Sequence, residues 1–385
     1  MRLLAVVVAA LALATGAARG ATAPFSAESG FVGVPFDLAH WELEGADLGL
    51  ATYLGVPALR IHAGTAELRG SDFGTGTIEY DVAFQAEPAF PGVHFRAGDS
   101  GEWENFYLRP HKSGNWDSNQ YMPVVARAAT WQIYSGPEFS SKETYKFGDW
   151  NHIRIEVYEH SADVFINGAR SLRIPQLKAA STHGTLALDA SPGQTNATGQ
   201  VFYANFRVRS GANAAPADMP AVKVVALPGL VRQWQVSEAL GDDDAARRAA
   251  AVDWSGVRWK SLPVETNGVA NLARAALKAG PKHFAIARFE VVSEGAAKKM
   301  LNLGYSDIAR VYVNGELLYR GDNRQYSHDP GFLGIVGLHD SLFVWLRPGR
   351  NDIAFVVEEL TGGWAAEAQF ADPQGLVSSA FDAPG

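Results

Sequence analysis

Residues 151–174 read NHIRIEVYEHSADVFINGARSLRI, and the fold class turns on them. From Asn151 to Tyr158, Ile153, Ile155 and Val157 fall on one side of a period-2 pattern, and His152, Arg154, Glu156 and Tyr158 fall on the other. Such alternation marks a strand with one buried face. Asn167-Gly168, between DVFI and ARSLRI, accepts the positive φ angles that a two-residue hairpin demands at both corners. Outward from this hairpin, Thr77–Phe84 (TIEYDVAF) repeats the pattern, with Ile78, Tyr80, Val82 and Phe84 opposite Thr77, Glu79, Asp81 and Ala83. Gly, Pro, Asn and Asp divide the chain from Phe25 to Ser210 into short runs of this kind, which predicts an antiparallel β-sandwich.

Ser210–Pro220 (SGANAAPADMP) has small residues, two prolines and no periodicity, as a linker does. Beyond it a strand is expected at Val222–Leu227, then a short helix at Asp242–Ala251, whose three leading aspartates suit the positive end of a helix dipole. Strand patterns return in HFAIARFEVV, KKMLNLGY, ARVYVNGELLYRG, SLFVWLRPG, NDIAFVVEEL and WAAEAQFAD. The chain therefore reads as all-β, with two antiparallel β-sandwich (jelly-roll) domains at 25–210 and 221–385 joined by a short Ala/Pro linker at 211–220.

The 385 residues are 47% hydrophobic and 19% charged, which excludes a disordered chain and suits two cores. The absence of Cys excludes disulfides, thiolate metal sites and a cysteine nucleophile. With 33 basic and 41 acidic side chains there is no overall basic field, so nucleic acid is not an expected partner. Residues 1–20 (MRLLAVVVAALALATGAARG) have the basic start, apolar run and small residues of a signal peptide, so export to a periplasmic or extracellular compartment is expected. No later stretch approaches the roughly 20 apolar residues of a spanning helix, and no permanent membrane anchor is expected.

GTIEYDVAF, GVHFRA, FGDWNHIRIEVYEHSADVFINGAR and VFYANFRV together resemble a concanavalin A-like (laminin G-like) jelly roll of secreted bacterial proteins, over roughly the whole first domain. Through Gly92-Val93-His94-Phe95-Arg96 the chain is also similar, more loosely, to the 3-keto-disaccharide hydrolase-like family. LNLGYSDIARVYVNGELLYRG and LRPGRNDIAFVV resemble the galactose-binding-like jelly roll attached to many glycan-active enzymes. These resemblances imply a glycan-associated protein, but a shared fold does not supply chemistry.

The catalytic patterns are incomplete. Laminarinase-type jelly rolls carry Glu-x-Asp-x-x-Glu on one strand; Glu79 and Asp81 begin it, but Phe84 holds the third position, so two solvated or hydrogen-bonded acids are expected there. Glu102 or Glu104 would complete a pair only if the fold brought one of them near. Gly98-Asp99-Ser100-Gly101 lacks the partners of a serine nucleophile and reads as a polar turn. The ten histidines show no metal-binding spacing, so no cofactor is expected, and a structural Ca²⁺ held by backbone oxygens stays open. Asn196-Ala197-Thr198 has the glycosylation pattern but reads as a polar loop.

The densest run of rings, amides and charges is Gly92–Tyr134. Alternation places His94 and Arg96 on one face of the first strand, and Asn105, Tyr107, Arg109 and His111 on one face of the next. Trp103, Glu104, Asn115, Trp116, Asp117, Asn119, Gln120 and Tyr121 adjoin them. Rings that cover sugar C–H faces, beside amides and charges that bond hydroxyls, suit a polysaccharide or oligosaccharide. A polar solvent-facing sheet fits the same pattern. Three readings therefore stand: a carbohydrate-binding protein, a glycoside hydrolase or polysaccharide lyase using His111, Arg109, Tyr107 and an acid such as Glu104 or Asp117, and a structural module. Arg96 and Arg109 near His111 would favour an anionic sugar group. In the second domain Trp254, Trp345 and Trp364, with the polar loop Asp322–Asp329, are candidate ligand groups for which a core role is the alternative.

Overall fold

The computed structural model describes residues 30–193, 198–280, 282–329 and 331–382; the leader at 1–20 and Asn196 lie outside them. The first unit contains β1 (Val32–Gly33), β2 (Trp41–Tyr53), β3 (Val56–Leu68), β4 (Gly76–Ala83), β5 (Gly92–Ala97), β6 (Glu104–Leu108), β7 (Asn119–Tyr121), β8 (Ser140–Ser141), β9 (Asn151–Val157), β10 (Ala162–Ile166), β11 (Ala169–Ile174), β12 (Thr185–Ala190) and β13 (Val201–Ser210). They pair antiparallel in the order β11-β10-β9-β4-β13-β3-β12-β5-β6-β7-β8, with β1 on β13 and β2 on β3. The sheet folds over on itself until β8 meets β11, where the Ser141 and Ser171 hydroxyls lie 2.7 Å apart.

Alternation explains the packing between the two leaves. Ile78, Tyr80 and Val82 of β4 and Ile153, Ile155 and Val157 of β9 are buried in one core with Val93, Phe95, Phe106, Leu108 and Leu188. Opposite them, Glu79 takes a 2.7 Å bond from Arg207 Nε, and Asp81 lies 2.8 Å from His152 Nδ1. The Glu79–Asp81 pattern is thus a hydrogen-bonded network on a sheet face. The β10–β11 hairpin turns at Asn167 (φ 52°) and Gly168 (φ 87°), as its sequence requires. Tyr158 departs from the expected outward direction: just past β9, it is buried, and its hydroxyl donates to Glu156 at 2.9 Å.

The second unit contains β14 (Gln233–Ser237), α1 (Asp242–Ala251), β15 (Trp259–Pro263), β16 (Ala270–Asn271), β17 (Phe284–Ser293), β18 (Ala297–Ser306), β19 (Ile308–Val313), β20 (Glu316–Asp322), β21 (Asp340–Leu346), β22 (Gly349–Glu358), β23 (Ala365–Phe370) and β24 (Leu376–Val377). One sheet runs β15-β14-β17-β22-β19-β20, with β24 on β17, and the other runs β16-β23-β18-β21. Trp234, Phe289, Phe355 and Trp364 fill the core of this unit. Helix α1 forms where expected and packs Ala245 and Ala249 against β17 and β22. Val222–Leu227 does not form the expected strand: Val224 is 61% exposed, and with no sheet edge beside it the alternation has no face to bury.

The units share apolar packing, since Ile133 lies in one cluster with Val269 and Ala365. The first core also holds a carboxylate. Register pairs Phe95 with Glu104 and Val93 with Phe106, so Glu104 shares the inner face with these apolar side chains. It is fully buried, accepts from Tyr121 Oη at 2.5 Å and Ala179 N–H at 3.1 Å, and burial pushes its pKa up to about 7.

Gly76 has φ 139°, and a Cβ there would collide with the Arg209 carbonyl on β13. Gly76→Ala should lower stability by roughly 2 kcal/mol or more, read by denaturant unfolding; an unchanged midpoint would contradict this register. For Glu104, a folded pKa above the unfolded value of roughly 4.5 favours the protonated form in the native state. Its contribution is complete below about pH 4.5 and is lost as pH rises through about 7, a swing on the order of 3 kcal/mol. Glu104→Gln should flatten the fall in stability between these values, and a slope equal to wild type would show that another group causes it.

Candidate functional site

The outer face of β12, β5, β6 and β7 carries Asp189, His94, Asn105, Tyr107 and Gln120. The pairings Ala187–His94, His94–Asn105 and Tyr107–Gln120 put these side chains on one side. The chain leaves β6 at Leu108 and turns into a short 3₁₀ segment, Pro110–Lys112. Arg109 and His111 nevertheless stay beside the face. Arg109 donates to Tyr107 Oη at 2.6 Å, to Gln120 Oε1 at 2.5 Å and to Asp117 Oδ2 at 3.0 Å, while the His111 ring meets Phe90 at 5.2 Å.

A small apolar cluster sits over the same face: Tyr107, Met122 and Val124, with Phe90, Trp103 and Trp131 packed around them. Trp103 tilts against His94 at 5.3 Å, and His94 Nε2 lies 3.2 Å from Asp189 Oδ1. Gly92 makes this approach possible, because a Cβ at that position would run into Asp189 Oδ1 and lie 3.1 Å from Asn105 Oδ1. The result is a partly buried polar face with aromatic rings packed beside it.

Nine buried side-chain nitrogen or oxygen atoms have no hydrogen-bond partner among the described residues, and five of them belong to this face. They are Trp103 Nε1, Asn105 Oδ1, Arg109 Nε, His111 Nδ1 and Asp189 Oδ1, the last with His94 Nε2 beside it at 3.2 Å but no well-aligned hydrogen bond. Buried polar groups in folded proteins are nearly always paired with protein or water, so this concentration singles the face out as the candidate site. Burial, reinforced by the Arg109 and Lys112 charges, lowers the His111 pKa to about 4, so its imidazole is neutral near pH 7.

Several sequence expectations need correction. Arg96 is not on the face: β5 bulges opposite Leu186, Arg96 takes φ 57°, and its guanidinium bonds the Gly74 and Tyr158 carbonyls at 2.8 and 2.7 Å. A bulge shifts the phase of alternation by one residue, which strict period-2 counting misses. Glu104 points inward, as does Tyr121, to whose hydroxyl it is bonded. Asn119 is fully buried and binds Ser141 and Ser171 at the sheet closure. Asn115 and Trp116 are exposed on the turn before β7, and nothing among the described residues ties them to the face. Asp117 and Gln120 adjoin the face, but their polar atoms are engaged with Arg109, Tyr107 and backbone carbonyls.

Phe90, Trp131 and Asp189 were not singled out from the sequence. In TLALDA (residues 185–190), Leu186, Leu188 and Ala190 alternate inward, which implied an outward Asp189 but not its neighbour on β5. In the second unit Trp364 is core, Trp254 packs edge-on against Trp259 at 5.6 Å, and Trp345 is 70% exposed. No group of three or more His, Asp or Glu among the described residues is placed to hold a metal ion. None of their helices is long and apolar enough to cross a membrane.

No family model matches the chain, and no curated protein does. Among solved structures it is similar to the carbohydrate-binding module CBM66 from Bacillus subtilis, with 12% identity over 44% of this chain and 96% of that one and a TM-score of 0.34. It is likewise similar to a β-glucanase of Bacillus licheniformis, with 11% identity over 48% and 99% of the two chains and a TM-score of 0.34. A Bacillus subtilis protein of galectin-like fold matches with 11% identity over 45% and 90% and a TM-score of 0.31.

Proposed function

We propose that the chain is an exported carbohydrate-binding protein, periplasmic or extracellular, which takes a neutral glycan onto the polar face of its first unit. The observation that carries this reading is the set of four buried polar atoms without a partner, on Trp103, Asn105, Arg109 and His111, next to the His94–Asp189 pair and beside Phe90 and Trp131. Sugar hydroxyls both donate and accept, so one pyranose edge can serve the Asn105 and Asp189 acceptors together with the Trp103 and Arg109 donors. The flanking rings offer apolar surface to its C–H face. Two acceptor oxygens on the face repel a carboxylate or sulfate, which favours a neutral sugar over an anionic one.

Binding is favoured over hydrolysis because glycosidases in general need two carboxylates across one bond. Among the described residues, Asp189 is the carboxylate on this face that no arginine holds. Glu104 is bonded on the inner face, and Asp117 is held by Arg109. The leader at 1–20 supports export, and we place the domain limits at 25–210 and 221–385 as part of the same reading. The likeness of the second unit to galactose-binding-like jelly rolls belongs to the same proposal.

The test is calorimetric titration with laminarihexaose, cellohexaose, xylohexaose and mannohexaose, with an oligogalacturonate as the anionic comparison. At least one neutral hexaose should bind, with no reducing ends released on long incubation. His94→Ala and Trp103→Ala, both at half-buried positions, should each weaken it about tenfold, the loss of one or two contacts of roughly 1 kcal/mol. New reducing ends would establish a glycan-cleaving enzyme instead, a lyase if unsaturated ends appear with them and a hydrolase if they do not. Absence of binding to every sugar, or unchanged affinity in both variants, would refute the face as the site.

A further inference from the structure

We infer that the second unit borders the polar face and positions its Trp131 ring, acting through Gln132; the inference rests on the glycan reading of that face. Trp131 packs on the Tyr107–Met122–Val124 cluster of the first unit. The next residue along belongs to the second unit in every polar contact it makes. Gln132 is fully buried. Its N–H donates to the Gly362 carbonyl at 2.9 Å, and its carbonyl accepts from Val336 N–H at 3.0 Å. Its Oε1 accepts from Ser306 Oγ at 2.8 Å, and its Nε2 donates to the Leu333 carbonyl at 3.3 Å. Four groups on a buried residue are thus satisfied by partners about 170 to 230 residues away in sequence, and losing any of them leaves a desolvated polar atom.

Gly362 also touches the ring. It has φ 97°, and a Cβ there would lie 2.9 Å from Trp131 Cε2 and collide with Gln132 Oε1. The second unit's backbone is therefore the surface against which the indole rests. Further along, Ile133 O accepts from Asn267 at 2.9 Å, and the Tyr134 hydroxyl accepts from Arg274 at 3.2 Å. From the opposite side the Gln120 amide donates to the Trp131 carbonyl at 2.9 Å and to the Tyr134 carbonyl. Residues 131–134 are strung between the two units. Trp131 stands where it does because both hold its backbone, so ligand affinity in the first unit depends on packing with the second.

The experiment uses the full-length protein labelled with 5-fluorotryptophan, with the Trp131 resonance assigned by Trp131→Phe. Titration uses whichever neutral hexaose wild type binds most tightly. Gln132→Ala and Gly362→Ala should shift the Trp131 resonance in the free protein and weaken binding about tenfold. Ile353→Val, a small change in the second core away from Gln132, should move neither and controls for general destabilisation. Affinity within twofold of wild type in both clamp variants would overturn the inference, as would weakened binding with an unmoved resonance. Failure of the glycan reading looks different: wild type then binds no hexaose, and both readings fall. Binding that needs His94 and Trp103 but ignores Gln132 and Gly362 removes this inference alone.

Discussion

The side-chain amide of Gln120 is the constraint on which the rest of the site depends. Its Oε1 accepts from Tyr107 Oη at 2.6 Å and Arg109 at 2.5 Å, and its Nε2 donates to the Trp131 and Tyr134 carbonyls. All four hydrogen-bonding positions of a primary amide are then in use, inside a residue with 1% exposure. No isosteric side chain can replace it: a carboxylate cannot donate to two carbonyls, and an apolar group would leave the Tyr107 O–H without its acceptor in a desolvated place. The amide therefore fixes the polar face and the segment beside it in one step, and it connects the β6–β7 leaf to the second unit through residues 131–134.

Polar groups on the two faces of that leaf have opposite fates. Inward, Glu104 has bonds from Tyr121 and Ala179, and Arg96 bonds two carbonyls; both are consumed by the fold. Outward, Tyr107, Gln120 and Asp117 are consumed in orienting Arg109. What remains is a short set, namely His94, Trp103, Asn105, His111 and Asp189, together with one edge of Arg109. In the proposed reading, rigid support behind these groups keeps the entropy cost of binding low, because the polar atoms are already in place before a ligand arrives.

Much of the architecture can be read from local pattern, because strand alternation and hairpin chemistry are local. The β9 pattern, the Asn167-Gly168 turn, helix α1 and the apolar sides of β4 and β9 all lie where period and turn residues place them. The outward direction of Asn105 and Tyr107 follows from the same rule. The rule fails at Arg96, where one bulged residue reverses the face, and at Val222–Leu227, where apolar alternation has no sheet to join. Alternation does put Glu104 inward with Phe106 and Leu108, but a carboxylate reads as solvent-facing until its Tyr121 partner is known. The pairing of His94 with Asp189 and the hold of Ser306, Leu333, Val336 and Gly362 on Gln132 are set by tertiary packing between distant segments. Periodicity carries no information on such contacts.

The central claim is that the unpartnered atoms of this face are the ones a sugar satisfies. A crystal structure of the full-length protein with the tightest-binding neutral hexaose tests it most directly. A pyranose is expected to stack on Trp103 or Trp131, with its hydroxyls within hydrogen-bond distance of Asn105 Oδ1, Asp189 Oδ1 and Trp103 Nε1. Sugar density elsewhere, for example over the exposed Trp345 of β21, with none of those three atoms bonded to it, would contradict it.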